Sequence, residues 1–246
     1  MTSAITCCEE RLRRFCECDA YWWYDYWGGV LTRNRPNSIL LDREVLATNT
    51  AMNARMKRDA WKKHCGTELP ELAQIPQDCD LLSVTKSEYE DLRKVLTGLY
   101  RRLTSVPGLR DMAVSKVMYL KRPGLIAISD SYSRKVLGVP ESVSDDAARG
   151  LAVIHEARNV ALRNAETLRR LRAWSRENLK YSGRPDHFGN IRADDIPVGT
   201  PVEMTEIRVL DVFVWSELAI RGGHEKWQQW AAEHAPVCRR SVTLTL

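Results

Sequence analysis

Two Pro-Gly turns, Val106-Pro107-Gly108-Leu109 and Arg122-Pro123-Gly124, lie one helix length apart in a chain of 246 residues. Proline lacks an amide donor and fixes its own φ, and glycine opens the left-handed region, so a helix does not run through either pair. The pattern predicts a helix from the capping box Thr85/Glu88 to about Thr104, then a second over 110–120. A short apolar segment follows, Leu125-Ile126-Ala127-Ile128, and leads into Ser129-Asp130-Ser131. Helix, turn, helix, apolar segment and carboxylate form one unit, and the rest of the chain must pack around it.

Helical periodicity recurs on both sides of that unit. Apolar spacing predicts helices over 3–18, over 43–64 (capped by Asp42 and ended by Gly66), over 132–137, over 207–218 and over 225–233. A long helix starts from a Ser144 cap and runs through Leu171, with Arg158, Arg163, Arg169, Arg170 and Arg172 on its other face. Segments 33–38, 70–80 and 183–199 read as turns or loops. Residues with β preference come in short runs, so the fold class is mainly α. We expect a single domain, 1–246, made of two helical lobes around a cleft. One lobe is 40–125, ending in the helix–turn–helix at about 96–121, and the other is 1–39 plus 126–246.

Hydrophobic residues at 44% and charged residues at 28% are those of a soluble globular protein. No apolar run reaches the length of a membrane span, and the first residues mix acids and bases where a signal peptide needs an apolar stretch. The expectation is a cytoplasmic monomer with no membrane partner. A net charge of +5 permits a polyanionic partner without demanding one. The 7 cysteines are odd in number, and C-C-x7-C-x-C matches no common zinc or iron–sulfur spacing. Reduced thiols and no metal are expected. No Walker loop, dinucleotide fingerprint or nucleophile elbow occurs.

The chemistry-bearing residues gather around the central unit. At the start of the helix after Gly108, backbone N–H groups lack intrahelical partners and point outward with the positive end of the dipole, which suits a phosphate. Arg110, Lys116, Lys121 and Arg122 follow and add positive charge. Asp130 has two readings, as the cap of the helix beginning at Tyr132 or as a partly buried carboxylate in a cleft; both can hold at once. The run Tyr21-Trp22-Trp23-Tyr24-Asp25-Tyr26-Trp27 holds rings that belong either in a core or in a stacking pocket. Asn49, beside Met52, presents an amide to a base edge or to solvent. Asp211 lies in an apolar helix, either as a paired core acid or as a second pocket acid.

Segment 105–138 resembles the signature of the helix-hairpin-helix DNA glycosylases of the endonuclease III type: V-P-G-L, a helix, an apolar segment, an aspartate and a further helix. The wording K-x-x-x-L-K-R-P-x-L-I-x-I-x-D-S-Y also resembles an uncharacterised bacterial family expected to share that fold. The resemblance implies that Val106, Gly108, Leu109, Arg110, Lys116, Lys121 and Arg122 grip a DNA backbone, and that Asp130 stabilises a positively charged sugar. It implies double-stranded DNA as partner, with a damaged or modified base, such as one from phage DNA, flipped into a pocket. Trp23, Tyr24, Asp25 and Asn49 are the pocket candidates. It calls for no cofactor beyond a monovalent cation at the hairpin, and for a place on the bacterial nucleoid. Arg110 stands where the family has a second glycine, Met112 where bifunctional members carry a lysine nucleophile, and only Cys238 follows Asp130 where a cluster would need four thiols. A monofunctional glycosylase is expected, with a non-catalytic DNA-binding or protein-interaction protein of the same fold as the rival.

Overall fold

The computed structural model describes residues 4–16, 25, 38–52, 54, 56–180, 199–234 and 244–245. Among them the chain is mainly helical. The helices are α1 (Cys8–Cys16), α2 (Asp42–Met52), α3 (Arg58–Lys62), α4 (Pro70–Ala73), α5 (Lys86–Thr104) and α6 (Asp111–Lys121). They continue as α7 (Ser131–Val136), α8 (Asp146–Arg163), α9 (Ala165–Asn178), α10 (Glu206–Arg221) and α11 (Glu225–His234). Two short strands, β1 (Ala4–Ile5) and β2 (Leu244–Thr245), pair antiparallel and bring the two ends of the chain together. No described helix is long and apolar enough to cross a membrane.

Two helices are buried nearly all round, α6 and α10. A helix without a polar face belongs in the interior, and the other elements wrap these two. Helix α6 packs against α2, α5 and α8, while α10 packs against α1, α7, α8, α9 and α11. One continuous core joins them and takes in residues of both expected lobes, from Leu99, Val114 and Val117 to Val160, Leu210 and Phe213. A smaller cluster under α11 holds Cys7, Ala219, Trp227 and Trp230.

The central unit folds as the turns dictate. Thr85 caps α5, its hydroxyl accepting the Glu88 N–H while the Glu88 carboxylate accepts the Thr85 N–H at 2.7 Å. The Val106–Leu109 turn closes with the Leu109 N–H donating to the Val106 carbonyl at 3.0 Å, and Gly108 takes φ +92°. At the second turn, Gly124 allows a close crossing, because a Cβ there would lie 2.9 Å from the Cys79 carbonyl oxygen.

Several sequence expectations are corrected. The helix expected over 43–64 is two, α2 and α3. The Asn49 amide donates to the Met56 carbonyl at 2.9 Å and accepts the Met56 N–H at 2.8 Å, holding the chain in a bend. The long helix after residue 144 is capped by Asp145, not Ser144, and breaks at Asn164 into α8 and α9. Asn164 donates to the Thr245 carbonyl at 2.7 Å and accepts the Thr245 N–H at 2.9 Å, so it anchors β2 rather than continuing a helix. The break also splits the expected arginine face: Arg158 lies over the Tyr89 ring and Arg172 pairs with Glu206 at 3.0 Å. The first helix begins at Cys8 after a strand, and the loop over 70–80 contains α4. Cys8, Cys16, Cys65 and Cys79 are free thiols, but Cys7 is disulfide-bonded, against the expectation of reduced thiols.

Candidate active site

A cleft of about 430 Å³ opens between α6, α7 and α10, with α1 and the end of α2 at its edges. Helix α6 contributes Met112 and Lys116, the α7 N-terminus Asp130, Ser131 and Tyr132, and α10 Arg208, Asp211, Val212 and Trp215. Phe15 and Met52 complete the lining with Ile128. The volume falls in the range of small-molecule and cofactor pockets, and the mixture of aromatic walls with convergent charges is typical of them.

Asp130 is set by its neighbours on both sides. Before it, the Ser129 N–H donates to Ser115 Oγ at 2.9 Å, and Ser129 Oγ donates to Asp111 Oδ2 at 2.7 Å. After it, Arg134 Nη1 donates to the same Asp111 oxygen at 2.7 Å. Asp111 is the first residue of α6, immediately beyond the hairpin. Hairpin and Asp130 are therefore fastened to the same helix end. Asp130 Oδ1 accepts the Ser133 N–H at 2.7 Å, so Asp130 caps α7 and lines the cleft at once. Both sequence readings of this residue hold geometrically.

The electrostatics of the cleft come from three carboxylates and two cations among the described residues. Arg208 lies between Asp25, at 2.7 Å from Nε to Oδ1, and Asp211, at 2.5 Å from Nη1 to Oδ2. The Tyr119 hydroxyl donates to the same Asp25 oxygen at 2.8 Å. Burial works against the charge on Arg208, but Asp25 and Asp211 overcome it and hold the guanidinium protonated. Burial pushes the Asp211 carboxyl up to about 7; Arg208 opposes the rise, and Asp130 adds to it. Burial also lowers Lys116, with Asp130 and Asp211 pulling it back.

The hairpin residues divide. Pro107, Gly108 and Arg110 are exposed, while the Val106 and Leu109 side chains point into the core and leave only their backbone for a ligand. Arg110 occupies the α6 N-cap without a side-chain cap bond. Lys116 is buried, donates to the Met52 carbonyl at 3.1 Å and faces the cleft rather than an outer strand. Lys121 and Arg122 correct the sequence expectation outright. Lys121 is 2% exposed and pairs with Glu44 at 2.6 Å, and Arg122 is 0% exposed and donates to the carbonyls of Leu72 and Ile75. Both are interior struts, and neither reaches a phosphate.

The expected base-pocket residues fare differently. Trp23 and Tyr24 lie outside the described residues. Asp25 is buried, bonded to Arg208 and Tyr119, and does not line the cleft. Asn49 has its amide committed to Met56 and offers no free edge. Among the described residues the rings that line the cleft are Phe15, Tyr132 and Trp215, and Tyr132 is 39% exposed. Sequence reasoning passed over Arg208, although an arginine three residues before an aspartate on an apolar helix was a usable signal.

Residues 17–218 match a family described as a family of unknown function, DUF6308. No curated protein and no solved structure matches the chain.

Proposed function

We propose that this chain, which belongs to the DUF6308 family, is a monofunctional DNA glycosylase that hydrolyses the bond between a modified base and its sugar. The observation that carries the reading is the shared cleft of Asp130, Met112 and Lys116, tied through Asp111 to the hairpin end of the same helix. A hairpin resting on DNA phosphates at Gly108 and Arg110 would put a flipped nucleotide near that opening. Asp130 would then stand beside the sugar as positive charge develops and orient a water for attack at the anomeric carbon. Met112 cannot form a Schiff base, so the reaction ends at an abasic site. Tyr132 and Trp215 offer stacking faces, worth about 1–3 kcal/mol for each base stacked.

The cap bond from the Ser133 N–H gives Asp130 a structural task and favours a second reading, a DNA-binding protein without chemistry. One variant separates the two. Asp130→Asn keeps a capping side chain, so folding and DNA binding should persist. Abasic sites counted on damaged and phage-derived DNA should fall by about 100-fold or more if the carboxylate stabilises the transition state. Equal counts from wild type and variant would leave the binder.

A further inference from the structure

Resting on the glycosylase reading, we infer that Asp211 is a second catalytic residue, the proton donor to the departing base, and that the substrate is a neutral modified base rather than a cationic alkylated one. Asp211 lines the same cleft as Asp130 but serves no cap and begins no helix. Its ion-pair partner Arg208 is shared with Asp25, a buried carboxylate that Tyr119 also holds. The groups facing Asp211 are Arg208 on its own helix, Asp130 at the head of α7, Lys116 on α6, and Asp25 beyond Arg208. Three carboxylates against two cations leave this set of described residues one negative charge in excess. A buried set of that kind is relieved by taking up one proton. Asp211 is the member placed to hold it: it lines the cleft with its side chain 10% exposed, and burial pushes its carboxyl up to about 7. Carboxyls whose surroundings separate their tasks are the usual basis of acid and base roles in one site.

The chemistry of the leaving group then selects the substrate class. A neutral base that leaves unassisted departs as an anion, which is costly. A base alkylated on a ring nitrogen already carries positive charge and departs neutral. A proton donor helps only the first. In the step, the carbon–nitrogen bond breaks with its electrons going to the base, and the Asp211 carboxyl proton passes to the base. Water adds to the anomeric carbon, and Asp130 accepts its proton. The products are a neutral base and an abasic sugar, and the proton returns from Asp130 to Asp211 through water.

The test uses the full chain with duplexes carrying hypoxanthine, 5-hydroxymethyluracil, 1,N6-ethenoadenine or 7-methylguanine, with released base measured by mass spectrometry. We expect release of at least one neutral base by wild type. Asp211→Asn should reduce it by about 100-fold or more at unchanged near-ultraviolet circular dichroism, with partial recovery in Asp211→Glu. Release of the neutral base by a folded Asp211→Asn within about threefold of wild type would overturn the inference and leave the glycosylase reading intact. So would a wild type that releases 7-methylguanine alone. A wild type that releases no base from any of these duplexes overturns both. Carbon-13 titration of the wild-type carboxyls needs no substrate. A midpoint for Asp211 near its expected value of about 7 supports the assignment, and an ordinary carboxylate midpoint sinks it.

Discussion

At two of the places where the described residues bury a cationic side chain, the charge is used in opposite ways. Beside the second turn, Lys121 meets Glu44 one to one at 2.6 Å, and Glu44 Oε2 also accepts the Leu41 N–H at 2.8 Å. That pair is balanced, and neither residue lines the cleft. At the cleft, Arg208 is shared between Asp25 and Asp211, and Lys116 and Asp130 stand within electrostatic reach. A balanced buried pair has no proton to move and serves to join α2 to α6. The cleft set holds three carboxylates to two cations among the described residues, and on the proposed reading Asp211 carries the proton that can move. Burial alone therefore does not mark function; the proposed role rests on buried charges that also share an opening.

The closed pair is the easiest part to break. Lys121→Met should leave Glu44 charged and without its cation in the core, costing about 3–5 kcal/mol in urea unfolding. Adding Glu44→Leu should restore much of that loss, because an apolar pair of similar volume avoids the desolvation cost. If the single variant melted like wild type, the pair would have no structural weight, and the contrast with the cleft would collapse.

The open cluster should reveal itself through pH. The Asp211 carboxyl rises from 3.8 to about 7 in the folded chain. Below the lower value both folded and unfolded forms hold the proton, so the contribution to stability is complete. Between the two values the folded form holds a proton that the unfolded chain has released, so stability falls as pH rises through that window. Asp211→Asn should lack this slope. Urea melts of wild type and variant between pH 4 and 8 should therefore show their difference drifting against wild type as pH rises, whereas a constant difference would remove the proton from Asp211.

The smallest effect belongs to a cation in neither cluster. Arg110→Glu places negative charge at the exposed α6 N-cap, next to Gly108. It should weaken binding to duplex DNA of any sequence and lower the slope of affinity against salt, without altering which base is released. Unchanged affinity at low salt would move the phosphate contact away from the hairpin.

What could be read from the linear chain had local causes. The Thr85/Glu88 capping box, both Pro-Gly turns, the helix between them and the apolar segment before Asp130 depend on residues a few positions apart. They stand where the pattern placed them, with boundaries off by a residue. The pairing of hairpin and aspartate around one helix came from the resemblance to a family signature, not from local rules. The helix ends after Met52, where Asn49 clamps Met56, and at Asn164 were not legible, because an asparagine in an apolar periodic run gives no sign of which backbone its amide will clamp. The partner of Asn164 is Thr245, at the other end of the chain. Lys121-Arg122 after a helix in a basic chain reads as surface charge until Glu44 and the carbonyls of Leu72 and Ile75 are seen to surround it.

The amino-acid order thus determined where helices start and stop around the turns, since capping, proline and glycine act within a few residues. Tertiary packing decided which charges face inward and which carboxylates share an opening, since burial and electrostatic coupling arise from groups far apart in the chain. The cap position of Asp130 was readable from its neighbours along the sequence. Asp211 became its companion only once α7 and α10 came together.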